Sequence, residues 1–171
     1  MEITRAHAAN TPTLGSYQID TGRSVVRFAT RHLFGLAPVR GTFAIRSGTV
    51  EVAEPLADSA IRAEIDAGSF RTGYAARDGN VRSAGFLDTG RHPVITFSSA
   101  GTDGSAVTGT LTVRGVTRPV TLAIEHSAVA PDSFTVRAVT RIDRTSFGVT
   151  ASRGLAGRYL RMTVEVRCVR S

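Results

Sequence analysis

Strict alternation of apolar and polar residues is the feature of this sequence that most constrains its fold. At least seven segments alternate with a period of two, and residues 134–142 and 160–168 do so almost without error. Successive side chains of a β-strand point to opposite faces, so each segment predicts a strand with one apolar and one polar face. The chain is therefore expected to form an antiparallel sheet whose apolar face must be covered.

The way in which that apolar face is covered decides the architecture. Few helical segments are available to pack on the sheet, so a closed barrel or a two-sheet sandwich is the simplest solution. We predict an all-β protein with a flexible arm over residues 1–15 and one domain over residues 16–171, a single antiparallel barrel of about eight strands. The predicted strands are residues 17–32, 39–52 with a bend near Gly48, 59–66, 93–100, 106–114, 118–126, 133–142 and 158–168.

One stretch does not have the pattern of a strand. In residues 77–88 the apolar residues Val81, Ala84, Phe86 and Leu87 are spaced as in a short helix, although the glycines of this stretch weaken it. We expect a short helical segment near 77–88 that caps one mouth of the barrel, with Phe86 and Leu87 turned inward.

The charge of the chain argues against some classes of partner. The formal net charge is +7, and all of the positive charge comes from arginine because the sequence has no lysine. Most arginines fall on polar strand faces, opposite the aromatic residues, whereas nucleic-acid-binding proteins cluster arginines with exposed aromatics or on a recognition helix. We expect no nucleic-acid partner, and transient contact with anionic lipid head groups stays open.

Neither the cysteine content nor the hydropathy indicates secretion or a membrane span. The single cysteine, Cys168, lies on the apolar face of the last alternating segment, so we expect a buried thiol. Residues 1–10 lack the apolar core of a secretory leader, and no later stretch has the length of a membrane-spanning helix. The cysteine says little about the compartment, and the hydropathy predicts a cytoplasmic protein with no membrane span.

The interior of such a barrel is either filled or hollow. Eight strands give the size at which side chains fill the interior or leave room for one small ligand. The chain has no tryptophan, and the small residues Gly41, Ala63 and Ala138 fall on the predicted inner face. Both a tunnel and a solid core are compatible with this pattern.

Chemically reactive residues are sparse on the predicted inner face. The four histidines show no metal-ligand spacing, and no serine lies in a Gly-x-Ser-x-Gly motif. We therefore expect no catalytic residue, no metal site and no cofactor. His32, Asp20, Asp78 and Arg144 are candidate polar anchors at a pocket mouth, and each is equally compatible with a role in pinning a turn.

Several motifs, in order along the chain, resemble the YceI-like lipid-binding family. The opening motif lies within residues 17–43 and the central motif within residues 77–97. The late hairpin corresponds to residues 109–122, with the sequence GTLTVRGVTRPVTL, and the last motif to residues 142–149, with the sequence IDRTSFGV. The resemblance runs from about residue 17 to residue 168 and is therefore specific.

The resemblance implies a lipocalin-like antiparallel barrel whose interior binds a long amphiphile. In this family the ligand is typically a polyisoprenoid, such as a prenyl diphosphate or a quinone, and in some members a fatty amide. The resemblance also implies a homodimer. Many members carry a secretory leader, which this sequence does not show.

Three positions depart from the pattern of the family. Arg23, Asn80 with Val81, and Gly85 stand where the family usually has a histidine, a His-Leu pair and an acidic residue. If these positions hold a head group, its chemistry differs here, and Arg23 is suited to a phosphate or a carboxylate because a guanidinium stays charged and binds in a bidentate fork.

We therefore predict a non-catalytic protein that binds, carries or stores a long-chain isoprenoid lipid in the barrel interior. Apolar burial supplies the affinity, at roughly 0.8 kcal/mol for each methylene group. The alternative is an enzyme that acts on an isoprenoid-like substrate in the same cavity, and a third interpretation is a filled barrel that serves as an interaction or stress protein. The residues predicted to bind the ligand are Phe28, His32, Phe43, Phe70, Arg77, Asp78, Phe86, Phe97, Leu111, Phe134, Arg144, Phe147 and Met162. Of these, we assign Arg77, Asp78 and Arg144 to the mouth or to its supporting loops.

Overall fold

Antiparallel strands build almost the whole protein in the computed structural model, which describes residues 11–32, 37–151 and 157–171. The described residues contain ten strands. They are β1 (Gly15–Ile19), β2 (Val25–His32), β3 (Ala37–Phe43), β4 (Ile45–Val52), β5 (Ala60–Asp66), β6 (Val94–Thr102), β7 (Ala106–Val113), β8 (Val116–Ala130), β9 (Ser133–Asp143) and β10 (Tyr159–Arg170).

Eight of these strands close a ring. Each strand pairs with the next in the order β1-β4-β5-β6-β7-β8-β9-β10, and β10 pairs back onto β1. The hairpin formed by β2 and β3 continues along β10 beyond the end of β1, where Val26 lies opposite Val164. The ring gives backbone partners to strands that would otherwise be sheet edges. The predicted antiparallel barrel of eight strands with one short helix is confirmed.

The first two predicted strands are each split in the structure. The segment 17–32 is interrupted by a 3-10 turn over Thr21–Arg23, where the Gly22 amide donates a hydrogen bond of 3.2 Å to the Asp20 carboxylate. The segment 39–52 breaks at residue 44, and the register of β4 against β5 shifts between Ile45 and Ser47, next to the bend predicted near Gly48. Alternation does not reveal this break, because Phe43 and Ile45 are both buried and continue the same pattern across it.

The segment that follows β5 lies against the outer edge of β3. In the part of the chain that the structure describes, β3 pairs with no strand other than β2. Thr42 instead exchanges two backbone hydrogen bonds with Arg71, at 2.9 and 3.1 Å. Behind this bridge the rings of Phe28, Phe43 and Phe70 pack together with centroids 5.0 to 5.7 Å apart, so an aromatic cluster completes the wall.

The helical segment begins earlier and is shorter than predicted. The helix α1 is Ala75–Arg82, and residues 83–92 form turns rather than a continuation of the helix. It ends where Ser83 adopts an extended backbone conformation and its amide bonds the carbonyl of Asn80 at 3.1 Å. The turns bring Phe86 into the interior, where it is buried, and leave Leu87 half-buried. Among residues 11–32, 37–151 and 157–171, no helix is long and apolar enough to cross a membrane.

The connections between antiparallel strands alternate between two ends of the barrel. The helix end consists of the described connections 67–93 with α1, 114–115, 144–151 and 157–158. The far end consists of residues 11–14, 53–59, 103–105 and 131–132. The two ends differ in the charged side chains that they carry.

Cys168 is buried in the barrel wall as predicted, with 1% of its surface exposed. Burial raises the pKa of its thiol to about 12, because a thiolate there would lose its hydration. We expect the folded protein to react with a disulfide reagent at pH 8 on the order of 100-fold more slowly than the protein in urea. Absorbance of the released thiolate measures both rates, and equal rates would contradict the burial of Cys168.

Candidate functional site

The barrel encloses a cavity of about 1040 Å³. All ten strands contribute inward-pointing side chains to its lining, and most of these side chains are apolar. Ligand pockets in proteins typically have volumes of roughly 300 to 1,000 Å³ and predominantly apolar walls. The structure therefore has the tunnel, and not the solid core, of the two interiors that the sequence leaves open.

Many side chains that point into the barrel are only half-buried. Phe97, Leu111 and Met162 face the cavity from three different strands, and none of them reaches the full burial of Phe28 or Phe134. In a close-packed core, residues of these types in this position are normally covered on all sides. Apolar surface that faces a cavity favours an apolar occupant, because removing that surface from water contributes roughly 25 cal/mol of binding free energy for each Å².

The cavity runs from the helix end to the far end. Arg77, Asn80 and Arg144 line it at the helix end. Asp103 and Ser105 line it at the far end, where both residues are exposed. Between the two ends the wall is almost entirely apolar, so the site suits a long apolar chain with a polar group at one end.

Arg144 brings a positive charge to the cavity wall at the helix end. Arg144 is only 7% exposed. Its Nε donates a hydrogen bond of 2.7 Å to the Gly157 carbonyl, and its Nη1 donates one of 2.9 Å to the Val149 carbonyl. The guanidinium carbon also lies 5.5 Å from the centre of the Phe86 ring. Because a guanidinium stays protonated, Arg144 both orders this connection and keeps the wall positive.

Arg77 is the second arginine of the cavity wall. Its Nε donates a hydrogen bond of 3.0 Å to the Thr72 hydroxyl, and its guanidinium lies 4.9 Å from the centre of the exposed Tyr74 ring. Arg77, in the first turn of α1, therefore lines the cavity and also contacts a ring on the protein surface.

Asp78 supports the wall and does not belong to it. The residue is 5% exposed, and its carboxylate accepts hydrogen bonds from the Thr72 amide at 3.0 and 3.1 Å and from the Thr72 hydroxyl. Burial alone would raise the pKa of Asp78, but these bonds and the charges of Arg82 and Arg77 hold it below its ordinary value. Its placement does not support the predicted contact with a ligand, since the carboxylate is committed to holding residues 72–78 together.

Most of the other predicted ligand-binding residues lie on the cavity wall. The side chain of His32 lies outside the described residues. The predicted residues that line the cavity are Phe28, Phe43, Phe70, Arg77, Phe86, Phe97, Leu111, Phe134, Arg144, Phe147 and Met162. Their contact with a ligand stays a prediction.

The polar positions singled out by the sequence have different locations. Asn80 lines the cavity, whereas Arg23 lies in the turn between β1 and β2 and takes no part in the lining. The Arg23 side chain is 66% exposed and its Nε lies 3.9 Å from a carboxylate oxygen of Asp20. Neither Arg23 nor Asp20 is therefore placed to hold a head group inside the cavity, and the structure does not support a role for Arg23 in selecting one there.

Sequence reasoning missed the polar lining of the far end. Ser59, Thr102, Asp103 and Ser105 line the cavity there, yet they lie in or next to connections that have no periodicity. The available signal was the run of turn-forming residues at 102–105, which predicts a turn but does not predict that the turn faces the interior.

A bidentate ion pair holds the connection between β9 and β10. The Asp143 carboxylate accepts hydrogen bonds from Arg158 Nε at 3.2 Å and from Arg158 Nη2 at 2.9 Å. The amide and hydroxyl of Thr145 donate two more, at 3.0 and 2.6 Å. The hydrogen bonds from Arg158, followed by those from Thr145, lower the pKa of Asp143 to about 2.

This pair predicts a loss of stability in acid. The folded pKa of Asp143 lies below its ordinary value of 3.8, so its stabilisation is complete above about pH 4 and disappears as the pH falls through 2. We expect Asp143→Asn to lower the free energy of unfolding by roughly 1 kcal/mol at pH 7, after allowance for the exposed Arg158, and this difference to shrink toward zero as the pH falls to about 2 and below.

Urea unfolding at pH 7, 4 and 2 measures these differences. Asp132→Asn is the matched control, because it removes the same charge from an ion pair whose carboxylate is 82% exposed. A constant difference between Asp143→Asn and the original protein at all three pH values would contradict the assigned role.

Comparisons with a family model and with individual protein sequences point to the same family. Residues 17–169 match the family model described as the YceI-like domain. A protein YceI of Salmonella arizonae is 32% identical over 166 residues, which cover 90% of this chain and 86% of that protein. A UPF0312 protein of Vibrio campbellii is 34% identical over 124 residues, which cover 68% of this chain and 65% of that protein, so the match spans just under two thirds of that relative.

Solved structures show the same fold at lower sequence identity. BcnA of Burkholderia cenocepacia superposes with a TM-score of 0.71 at 21% identity, over 87% of this chain and 98% of that chain. A domain from Saccharophagus degradans, described as a polyisoprenoid-binding domain implicated in plant cell wall breakdown, superposes with a TM-score of 0.72 at 16% identity, over 93% and 100% of the two chains.

Proposed function

The chain belongs to the YceI-like domain family, and on that premise we propose that it binds a long-chain isoprenoid lipid in its barrel and carries or stores it without chemical change. The observation that carries this proposal is the apolar cavity of about 1040 Å³, which extends between two polar ends. The name of the structurally similar Saccharophagus degradans domain supports the same class of ligand. A homodimer and a cytoplasmic location stay predictions.

The volume of the cavity favours a ligand of considerable length. At about 30 Å³ for each water-sized group, 1040 Å³ holds roughly 35 such groups, comparable to an isoprenoid chain of about 30 to 40 carbons. At roughly 0.8 kcal/mol for each methylene, a chain of this length offsets the cost of ordering it by a wide margin. Few polar contacts are needed for affinity, so these contacts can serve to orient the lipid.

The polar ends of the cavity favour one orientation of the lipid. Arg77 and Arg144 line the helix end, whereas Asp103 lines the far end. A phosphate, a carboxylate or a quinone carbonyl accepts hydrogen bonds from a guanidinium and is disfavoured near a carboxylate. We infer that the head group lies at the helix end and that the tail extends toward the far end.

The titratable groups of the lining support carriage over catalysis. Hydrogen bonds from Ser105 and Ala106 hold the pKa of Asp103 at about 2, and burial raises the pKa of Cys168 to about 12. Neither value suits a general acid, a general base or a nucleophile near neutral pH. Among the described residues that line the cavity, the remaining titratable side chains are the two arginines, which stay protonated.

Native mass spectrometry of protein purified from its own host tests the proposal. We expect a bound mass that organic extraction releases as a lipid of roughly 30 to 40 carbons. Incubation of the pure protein with a prenyl diphosphate, followed by mass analysis of the lipid, distinguishes the enzymatic alternative. A chemically altered lipid would establish that alternative, and failure to retain any lipid, whether purified or added, would refute both.

The width of the tunnel at mid-height gives a sharper prediction. Ala63 of β5 and Ala138 of β9 line the cavity near the middle of strands that lie opposite each other in the ring. We expect Ala63→Phe with Ala138→Phe to obstruct the tunnel, which lowers the affinity for a chain of about 40 carbons by at least about tenfold while a chain of about 15 carbons loses less than about threefold.

Displacement of a fluorescent prenyl probe measures both affinities. Arg62→Phe with Thr135→Phe is the matched control, since it adds two rings of the same size to exposed positions of the same two strands. Equal losses for the two chain lengths, or the same losses in the control, would show that the lipid does not pass the middle of the barrel.

A further inference from the structure

Positive charge is concentrated at the helix end of the barrel. Within its described residues there are seven arginines and two aspartates, and one of the aspartates is the buried Asp78. The strand ends Asp66 and Asp143 also lie there, and they leave arginine in clear excess. The arginines are Arg71, Arg77, Arg82, Arg91, Arg114, Arg144 and Arg158.

Negative charge is concentrated at the far end. Its residues 11–14, 53–59, 103–105 and 131–132 contain four carboxylates and no arginine. Arg170, at the end of β10, forms an ion pair of 3.2 Å with Asp132 of this end. The carboxylates are Glu54, Asp58, Asp103 and Asp132. The charge of the barrel is therefore strongly polarised along its axis.

Exposed tyrosines occur at the positive end, each beside arginines. Tyr74 is 70% exposed, and the guanidinium of Arg77 lies 4.9 Å from its ring centre. Tyr159 is 42% exposed, and the guanidinium of Arg141 lies 3.9 Å from its ring centre. Tyrosine and arginine both combine an apolar part with a polar tip, which is the chemistry of side chains that insert at the boundary between water and lipid.

From these observations we propose that the helix end is a docking surface for an anionic lipid bilayer, and that docking turns the cavity end lined by Arg77 and Arg144 toward the membrane. Basic residues bind anionic head groups when they lie within a Debye length of about 8 Å of the surface. The carboxylates of the far end are repelled by the same surface, so the polarised charge sets the orientation as well as the affinity.

A bilayer fits this surface better than a nucleic acid does. Exposed aromatics beside arginines, which the alternation along the strands did not predict, also occur on nucleic-acid surfaces, but there the ring faces stay open as platforms on which bases stack. Here the guanidinium groups of Arg77 and Arg141 already lie near the rings of Tyr74 and Tyr159. The proposal goes beyond the binding of an isoprenoid and is independent of it, because the docking surface does not require a lipid in the barrel.

Co-sedimentation of the full chain with vesicles tests this docking. We expect binding to vesicles of phosphatidylcholine with phosphatidylglycerol, weaker binding to phosphatidylcholine alone, and release by salt. Arg71→Glu with Arg91→Glu changes two exposed arginines of the helix end that do not line the cavity. This variant is expected to bind anionic vesicles at least about fivefold more weakly, and Tyr74→Ala about twofold more weakly.

The matched control is Arg62→Glu with Arg137→Glu, which makes the same change in net charge on the barrel wall. We expect it to bind within about twofold of the original protein. Equal losses in the two double variants would show attraction by net charge alone and would overturn the proposal. Absence of binding to anionic vesicles, or release of the protein from them by single-stranded DNA at equal phosphate concentration, would overturn it as well.

Discussion

Closure of the eight-stranded ring through β1 is the constraint on which the rest of the structure depends. The strand β1 has only five residues, yet it pairs with β4 on one side and with β10 on the other. Its residue Tyr17 is 1% exposed and its hydroxyl donates a hydrogen bond of 2.7 Å to the Thr13 carbonyl. Without this strand the sheet would have two open edges and no enclosed interior.

The closed ring also explains why the apolar face is not simply a core. Eight tilted strands set a circumference that the aliphatic side chains and the two mid-strand alanines do not fill. Loops supply the polar groups, and they supply different ones at the two ends, with Arg77 and Arg144 at one end and Asp103 at the other. The walls and the ends thus have separate roles, since the walls provide affinity and the ends provide orientation.

The strands and their inner faces could be predicted from the sequence, because side-chain alternation is a direct consequence of strand geometry. The inward residues Phe97, Leu111 and Met162 lie where the pattern places them. Loop geometry has no such periodicity, so the early start of α1, the bonding of Asp78 to Thr72 and the outward position of Arg23 could not be predicted. The hollow interior also required the structure, since residue volumes alone fit both a tunnel and a solid core.

The outer edge of β3, which pairs with no further strand in the part of the chain that the structure describes, has a consequence for how the protein tolerates substitution. Elsewhere the enclosure consists of hydrogen-bonded backbone, which is the same whatever side chains it carries. Beside β3 it consists of the faces of Phe28, Phe43 and Phe70, behind the single bridge between Thr42 and Arg71. Substitution at most lining positions therefore alters the shape of the tunnel, whereas loss of a ring at this seam would admit water through its side.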